Sequence, residues 1–363
     1  MNILQIHTKM ASGGIEAFIC ALANELCKLH IVTVCTIFKP NVDDVFYKKM
    51  STIIKKTTIG KLNYGFSIRE IFRIYNLVRT GSYDVVHIHG CFQYYFLAVL
   101  LLHRKTRFFY TIHSDARMEN QKWDWRLFWL KRFMFKKKWI VPITISEHSQ
   151  ESFRKLYNCQ SELVYNGTPR YDVVMTGNVI NTFRYTNFTQ IFLHVGRITK
   201  AKNQIILCKV FDRLIKEGKD VVLVIAGSPE EKYIYDNIKF YFSDRIIYLG
   251  ERSDIPELLA NADAFCLPSI WEGMPIALLE ALSVGCIPIC APVGGIVDVI
   301  NSGDNGLLSV DSTEEEYYKT ICTFMTMPNE KKSMMRNAAL NSFNRYSMDT
   351  CSHDYMKIYE KYR

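Results

Sequence analysis

In the first half of the chain, short apolar runs alternate with segments in which apolar residues recur at helical spacing. The apolar runs predict strands at residues 2–7, 31–37, 85–89, 108–113 and 140–145. After Gly13-Gly14, apolar residues recur at helical spacing and predict a packed helix face of Phe18, Leu22, Leu26 and Leu29. Ser146 has the side chain of a helix N-cap, for a helix that runs to Tyr157. Strands and helices therefore alternate along this half.

The same alternation returns in the second half. Near-continuous apolar runs predict strands at 191–195, 221–226, 246–249, 264–267, 287–290 and 307–310, with helices at 203–216, 255–260 and 275–284. Apolar strands between helices are typical of a parallel sheet that is covered on both faces. The sequence therefore predicts an α/β fold of two Rossmann-like domains facing across a cleft, with ligands bound at the carboxyl ends of the strands.

A break in this pattern indicates the domain bounds. Residues 168–188 are polar and irregular, which is typical of a linker. We predict an N-terminal domain at 1–167 and a C-terminal domain at 168–345. Residues 346–363 are predicted to contain a helix with Tyr355, Ile358 and Tyr359 on one face, which packs back on the N-terminal domain.

Size and composition are those of a globular protein with two cores. The chain has 363 residues, 48% of them hydrophobic. Its 11 cysteines are scattered without a Cys-x-x-Cys pair, which favours reduced thiols over a disulfide framework or a zinc site. No leader-like segment opens the chain, and the apolar run 92–102 is far shorter than the roughly 20 residues of a spanning helix. We expect a cytosolic protein.

Charge is distributed unevenly between the two halves. Residues 1–165 carry 24 basic and 12 acidic residues, a balance of +12, whereas residues 166–363 have a balance of −3. This asymmetry indicates that an anionic surface meets the N-terminal half.

Two glutamates flank a predicted helix start in the second half. Glu272 lies in the loop after the strand at 264–267, and Pro275 suits the first position of the helix that follows. The first amides of a helix have no intrahelical partner and bind anionic or hydroxyl oxygens well. Glu280 lies inside an apolar run, where an unpaired carboxylate is costly to bury. The alternative is one solvated glutamate and one capping glutamate.

The segment around these glutamates resembles a known signature. It is similar to that of the retaining GT-B glycosyltransferases of family 4 through Pro268-Ser269-Ile270-Trp271-Glu272-Gly273-Met274-Pro275, Leu279-Glu280-Ala281 and Gly285-x-x-Pro288. Glu272 and Glu280 match the Glu-x7-Glu element of that family. Further matches lie in order along the chain at Gly13-Gly14, His89-Gly90, Thr111-Ile112-His113, Asn166-Gly167, Gly196-Arg197 with Lys202, Ala226-Gly227, Leu249-Gly250 and Gly294-Gly295.

The resemblance implies a site for a nucleotide-sugar. Arg197 and Lys202 match the basic pair that binds the donor diphosphate, and surface charge is the alternative. Glu280 matches the residue that binds the ribose hydroxyls. Glu272 matches the residue that holds the sugar hydroxyls, helped by the amides of Gly273, Met274 and Ile276, since Pro275 has none. The base would be bound near Gly250, in residues 250–254.

Other matches place residues of the N-terminal half near the reaction. Gly13 and Gly14 match a loop beside the donor phosphate and the acceptor, although they also fit a plain tight turn. His113 matches a histidine close to the donor sugar, although a core histidine bonded to the backbone is the alternative. His89 and Asp115 are weaker candidates. Asn203 follows Lys202 where many members of the family have glycine, which leaves the shape of that loop open.

No Asp-x-Asp sequence occurs in the chain. An enzyme that holds a sugar diphosphate through a divalent ion usually needs such a carboxylate cluster. Arg197, Lys202 and helix amides can neutralise a leaving diphosphate instead. We therefore expect no metal and no other cofactor.

Residues 122–139 combine cations with aromatic side chains. The stretch is a candidate acceptor or membrane contact, through Lys122, Trp123, Trp125, Arg126, Trp129, Lys131 and Arg132. Leu127, Phe128, Leu130 and Met134 would form a helix face that enters the interface of an anionic membrane. The alternative is an amphipathic helix packed on its own domain. A nucleic-acid partner is not expected, because no nucleic-acid-binding motif accompanies the charge.

These observations favour one function over two rivals. The sequence predicts a retaining, metal-independent glycosyltransferase that moves a sugar from a nucleotide-sugar, a UDP-sugar, to a glycan or polyprenyl-linked acceptor in capsule, O-antigen or exopolysaccharide synthesis. It would act in the cytoplasm, on the inner face of the cell membrane. The rivals are a UDP-sugar epimerase on the same fold and a non-catalytic protein that binds sugar-nucleotides or glycans at the membrane.

Overall fold

The computed structural model describes residues 1–11, 13–41, 44–62, 67–90, 92–119, 127–173 and 179–363, with residue 93 as backbone only. The chain divides into two compact units. Unit 1 comprises residues 1–167 and 348–363, and unit 2 comprises residues 168–347. The last residues of the chain thus belong to the same unit as the first.

Unit 1 is built on a parallel sheet. Its strands are β1 (Asn2–His7), β2 (Ile31–Phe38), β3 (Lys55–Lys61), β4 (Val85–Ile88), β5 (Arg107–Ile112), β6 (Ile140–Thr144) and β7 (Glu162–Leu163), in the order β3-β2-β1-β4-β5-β6-β7. Its helices before residue 167 are α1 (Gly14–Leu26), α2 (Val45–Lys49), α3 (Ile68–Gly81), α4 (Phe96–Leu102), α5 (Ala116–Glu119), α6 (Phe128–Lys136) and α7 (Glu147–Tyr157).

Unit 2 repeats this architecture. Its strands are β8 (Gln190–Val195), β9 (Val221–Ala226), β10 (Ile246–Gly250), β11 (Ala264–Leu267), β12 (Ile287–Cys290) and β13 (Leu307–Leu308), in the order β10-β9-β8-β11-β12-β13. Its helices are α8 (Gln204–Lys216), α9 (Lys232–Lys239), α10 (Ile255–Asn261), α11 (Ile276–Ser283), α12 (Ile296–Val299), α13 (Glu314–Met325) and α14 (Asn329–Ser342), and α15 (Met348–Lys361) then returns to unit 1. The prediction of two Rossmann-like parallel sheets is confirmed.

Some local predictions were wrong. Leu29 was placed on the packed face of α1, but this helix ends at Leu26 and Leu29 is exposed. Pro275 was placed at the first helical position, but it is the N-cap of α11. Strand β3 was not predicted, because its sequence KKTTIGK is mostly polar. Since β3 lies at the end of the sheet beside β2, it needs little apolar surface to hold its place.

A polar layer fastens α15 to the sheet of unit 1. The Nδ1 atom of the buried His87 lies 2.6 Å from the hydroxyl of Tyr359, and its Nε2 atom lies 2.6 Å from Oγ1 of Thr111. Thr111 in turn lies 3.2 Å from the hydroxyl of Tyr355. A neutral imidazole donates one hydrogen bond and accepts another, so it suits two hydroxyl partners. Burial, helped by His113, holds the pKa of His87 well below its usual value.

None of the helices within the described residues is long and apolar enough to cross a bilayer.

The stability of unit 1 is predicted to fall as the pH is lowered from about 7.5 to about 5, because unfolded histidine has a pKa near 6.5. Burial holds the pKa of His87 and of His89 well below that value in the fold. Between the two pKa values the unfolded chain binds more protons, so the free energy of unfolding rises with pH. Urea unfolding of a Trp271→Phe variant measures this, since the other tryptophans all lie in the sequence of unit 1.

A matched pair of variants tests the source of this pH dependence. His87→Gln is expected to reduce the slope of stability against pH, because it removes one of the depressed pKa values. His353→Gln, at an exposed position of α15, is expected to leave the slope unchanged. Equal slopes in the two variants would show that His87 is not the source.

Candidate functional site

Reversal of strand order brings two loops of unit 2 to one edge of its sheet. Strands β9 and β10 extend the sheet on one side of β8, and β11, β12 and β13 extend it on the other side. The strand order therefore reverses between the neighbours β8 and β11. Such a switch point is where α/β sheets bind ligands. The amide of Ile270 donates to the carbonyl of Ala201 over 2.8 Å, and the Asn203 side chain donates to the carbonyl of Pro268 over 3.1 Å. The loops after β8 and β11 are therefore tied together.

An ion pair lies where these two loops meet. The Nζ atom of Lys202 is 2.6 Å from Oε1 of Glu272, and both side chains are largely buried. The hydroxyl of Ser269 donates to the same carboxylate oxygen over 2.7 Å. Charges withdrawn from water are retained only when they are paired and hydrogen-bonded. The structure thus brings together two residues that the sequence assigned to one site.

Arg197 takes a different partner from Lys202. Its Nη1 atom is 2.7 Å from Oε2 of Glu230, and both side chains are about half exposed. Exposed pairs of this kind contribute little to stability, so the guanidinium is held only weakly. The proposed role of Arg197 at a diphosphate remains a prediction.

Two buried polar residues fix the loop that carries Lys202. Nδ1 of His194 donates to the carbonyl of Cys266 over 2.9 Å, so in the neutral ring Nε2 accepts from the Gln204 amide 3.1 Å away. Gln204 also donates to the carbonyl of Arg197 over 2.9 Å. Burial lowers the pKa of His194 to about 4, which keeps this ring neutral. Sequence reasoning missed both residues, although a histidine inside the apolar run 191–195 was a signal.

Asn203 resolves the question of the loop shape. It has φ 58° and ψ 35°, in the left-handed region that glycine adopts most easily. Asparagine is among the other residues that adopt this conformation. The loop therefore keeps a glycine-like turn with an asparagine, whose side chain adds the bond to Pro268.

A glycine loop after β12 supports Glu272 from behind. Gly294 has φ +56°, and a Cβ atom there would overlap the backbone carbonyl of Glu272. The amide of Gly295 donates to the carbonyl of Gly273 over 2.6 Å. The position of Glu272 thus depends on a residue without a side chain in a different loop.

Glu280 lies on α11, close to Tyr171. The Tyr171 hydroxyl lies 3.5 Å from Oε1 of Glu280, and burial together with this carboxylate raises the pKa of Tyr171. Sequence reasoning missed Tyr171, which lies in the stretch predicted to be a linker. The side chain of Met274 is buried, and its predicted contact with a ligand is through the backbone. Gly250 is the last residue of β10, and its role at a base remains a prediction.

Histidines collect at the strand ends of unit 1. Nε2 of His113 lies 2.9 Å from Nδ1 of His89, and Nδ1 of His7 donates to the carbonyl of His89 over 2.7 Å. Burial, helped by His7, lowers the pKa of His113 to about 3, so its imidazole is neutral at physiological pH. The structure therefore gives His113 a histidine partner, which the sequence did not predict.

A carboxylate lies close to the glycine at the start of α1. A Cβ atom on Gly13 would overlap the side chain of Glu16, and Glu16 lies 3.8 Å from Nε2 of His7. Gly14 is the first residue of α1. Asp115 instead accepts from the amide of Arg117 over 2.8 Å, which makes it a turn residue at the start of α5.

The basic aromatic stretch differs from its prediction. Lys122, Trp123, Trp125 and Arg126 lie outside the described residues. Of the predicted membrane face, Met134 is buried, and Leu127, Phe128 and Leu130 pack against the core of unit 1. This face is therefore occupied by the protein itself, and the membrane hypothesis was wrong for it.

The prediction that Lys131 contacts a membrane was also wrong. Its side chain is only 1% exposed, and its Nζ atom lies 4.2 Å from the ring centroid of Tyr110. The charge is thus held inside unit 1, where a membrane surface cannot contact it. Trp129, in contrast, is exposed, with the Arg132 guanidinium 5.3 Å from its ring centroid.

Comparison with known proteins gives two family matches. Residues 12–170 match the model of the family Glycosyltransferase Family 4, and residues 186–341 match that of Glycosyl transferases group 1. The two matches cover most of both units.

The chain is a GT-B glycosyltransferase of the family 4 type.

Curated relatives and a solved structure are consistent with this family. The chain is 25% identical over 301 residues, 76% of each protein, to the UDP-Gal:alpha-D-GlcNAc-diphosphoundecaprenol alpha-1,3-galactosyltransferase of Escherichia coli. It is 30% identical over 148 residues, 41% of this chain and 39% of the other, to the N,N'-diacetylbacillosaminyl-diphospho-undecaprenol alpha-1,3-N-acetylgalactosaminyltransferase of Campylobacter jejuni. A glycosyltransferase of Rickettsia africae shares the fold, with a TM-score of 0.81 at 17% identity over 99% of this chain and 98% of that one.

Gly294→Ala is predicted to lower glycosyl transfer by roughly a hundredfold, because a shift of about 1 Å in a site can cost that much. The added Cβ would push the Glu272 backbone away from Lys202. Steady-state transfer rates measure the effect. Gly303→Ala is the matched control, since Gly303 has φ +90° and an added Cβ atom there would meet nothing within 4 Å, so it carries the backbone strain without the overlap. Equal losses in both variants would contradict a specific role for the Gly294 contact.

Proposed function

We propose that this glycosyltransferase moves a sugar from a UDP-sugar to a glycan or polyprenyl-linked acceptor, with retention of configuration and without a metal ion. The observation that carries the proposal is the contact between Lys202 and Glu272 at the strand switch point of unit 2. The start of α11 follows directly, and Glu280 lies on the same helix.

The donor would bind by exchanging partners with this ion pair. The Lys202 ammonium would move from the Glu272 carboxylate to the donor diphosphate, which is another anion and so maintains its pairing. Glu272 would then accept hydrogen bonds from the sugar hydroxyls, with the amides of Gly273, Met274 and Ile276 beside it. Glu280 would bind the ribose, and Arg197 would leave its exposed pair with Glu230 for the diphosphate.

The transfer step needs stabilisation of a leaving group. The bond between C1 of the sugar and the diphosphate oxygen breaks, and its electron pair stays with the nucleoside diphosphate. The acceptor hydroxyl oxygen forms the new bond to C1 on the same face, and its proton passes to the leaving diphosphate. Lys202, Arg197 and the first amides of α11 supply positive potential where this negative charge grows. Such groups can do the work that a divalent ion does in other transferases.

Unit 1 is assigned to the acceptor side of the reaction. His113 is neutral and can donate or accept one hydrogen bond beyond its contact with His89. Gly13 and Gly14 lie where the loop after β1 ends and α1 begins, and a ligand can approach the backbone closely at glycine. We assign these residues to the acceptor and the donor sugar because they match family positions at the carboxyl ends of strands.

The names of the two curated relatives support the choice of substrates. The E. coli relative is named for UDP-Gal, and both relatives are named for diphosphoundecaprenol acceptors and an alpha-1,3 linkage. We extend the same classes of donor and acceptor to this chain. A polyprenyl acceptor would place the enzyme on the inner face of the cell membrane, in capsule, O-antigen or exopolysaccharide synthesis.

The purified enzyme is predicted to release UDP from a UDP-sugar only when a diphosphopolyprenyl sugar acceptor is added. We expect EDTA to change the rate by less than about twofold, because cationic side chains rather than a metal balance the diphosphate. NMR of the product is expected to show the anomeric configuration of the donor. Inversion at a ring carbon of the donor without an acceptor would indicate an epimerase, and tight donor binding without any transfer would indicate a binding protein.

Lys202→Ala is predicted to lower kcat/KM by roughly 100- to 1000-fold, as loss of a charged group at a leaving oxygen does elsewhere. Glu280→Ala is predicted to raise the KM for the donor more than it lowers kcat, because the ribose is bound alike before and during transfer. Lys200→Ala is the matched control, since Lys200 lies two residues away and is exposed. A Lys202→Ala enzyme as active as Lys200→Ala would sink the assignment.

A further inference from the structure

One side of helix α6 packs against the core of unit 1, and another side of the helix is exposed. Trp129 is 71% exposed and Phe133 is 44% exposed, four residues apart and so on one side of the helix. Their neighbours Met134 and Phe135 are buried in the core of unit 1. The exposed face is therefore fixed in orientation by the packed one.

Helix α4 continues this face. Strand β4, α4 and β5 form one crossover, and β5, α6 and β6 form the next, so both helices cover the same side of the sheet. Both contribute residues to the same core cluster. The ring of His103, at the end of α4, stacks on Trp139, after α6, with centroids 4.0 Å apart. Leu101 of α4 is 55% exposed. We call the outer side of residues 96–105 and 128–139 the α4–α6 surface.

The charge of this surface has one sign. Residues 92–107 and 127–139 contain no aspartate and no glutamate. Arg104 and Lys105 are exposed after α4, and Lys136 and Lys137 are exposed at the end of α6. Within these two segments, the exposed aromatic and aliphatic side chains are accompanied by cations and by no carboxylate.

We propose that the α4–α6 surface docks on an anionic lipid bilayer. Tryptophan and phenylalanine enter the interfacial region of a bilayer, and flanking lysines and arginines attract acidic headgroups. Charge complementarity selects this occupant, because two segments that carry cations and no carboxylates match a sheet of negative charge. The inference rests on the proposed function for its purpose, which is to bring the enzyme to a membrane-bound acceptor.

Docking by this surface differs from the arrangement expected from sequence. The side chains that contact lipid are Trp129 and Phe133, together with Leu101, and not the packed Leu130 and Met134. Lys131 takes no part, since it is buried. The side chains on one side of α6 thus pack in the core, and those on the other side face lipid.

Flotation of the full-length protein with lipid vesicles tests the proposal. Vesicles of phosphatidylcholine with phosphatidylglycerol are expected to bind the wild-type protein, and vesicles of phosphatidylcholine alone are expected to bind it at least tenfold more weakly, because each basic residue near an anionic surface strengthens binding about fivefold. Arg104→Glu with Lys136→Glu and Lys137→Glu is expected to weaken binding to the anionic vesicles by roughly a hundredfold or more. Trp129→Ala is expected to weaken it by roughly tenfold.

Matched controls lie on unit 2. Lys219→Glu with Lys239→Glu and Lys331→Glu makes the same change in net charge at exposed positions, and Phe240→Ala removes an aromatic side chain that is 87% exposed. These controls are expected to bind like the wild type. Thermal unfolding checks that each variant is folded, and Phe133→Ser replaces Trp129→Ala if the latter unfolds.

The possible outcomes separate this proposal from the proposed function. The vesicles contain no acceptor, so binding is measured whether or not sugar transfer occurs. Equal losses in the α4–α6 variant and its charge-matched control would overturn the proposal, as would wild-type protein that does not float with anionic vesicles. Binding to a DNA or RNA duplex but not to vesicles would overturn it as well, in favour of a nucleic-acid partner.

Discussion

The ion pair of Lys202 and Glu272 depends on support from several other residues of unit 2. Its two charges come from loops about seventy positions apart in the chain, and they lie 2.6 Å apart with little exposure to water. Such a pair is stable only if neither group can drift, because an unpaired charge at this depth would be costly. Ser269 holds the carboxylate, Gly294 lets a neighbouring loop support it, and the buried His194 and Gln204 hold the loop of the lysine.

The same pair also has the property that a donor site needs. In a complex with a nucleotide-sugar, the ammonium group could bind a phosphate in place of the carboxylate. The carboxylate could bind a sugar hydroxyl in place of the ammonium group. Exchange of one set of bonds for another costs less than desolvation of two free charges. A rigid frame of buried polar bonds around an exchangeable ion pair is therefore consistent with the chemistry of the family.

Unit 1 uses polar groups in its interior in a different way. His87, Thr111, Tyr355 and Tyr359 join the sheet to a helix from the far end of the chain. The neighbouring His89 and His113 extend this layer to the strand ends, where ligands bind in such folds. A histidine layer held neutral by burial thus links the fastening of α15 to the candidate acceptor side. The α4–α6 surface lies on the other face of the sheet, where packing leaves one side of two helices exposed.

Periodicity in the sequence determined the α/β class and the alternation of strands and helices, and motif spacing predicted the residues of the candidate donor site. These features are local, because an apolar run or a glycine turn has its preference whatever lies elsewhere in the chain. Only the tertiary structure decided the partners: Glu272 for Lys202, Glu230 for Arg197, His89 for His113 and Tyr171 for Glu280. It also decided which side of α6 is buried, because an amphipathic pattern on a helix rich in aromatic residues fits two faces, and only packing against the core of unit 1 chooses between them.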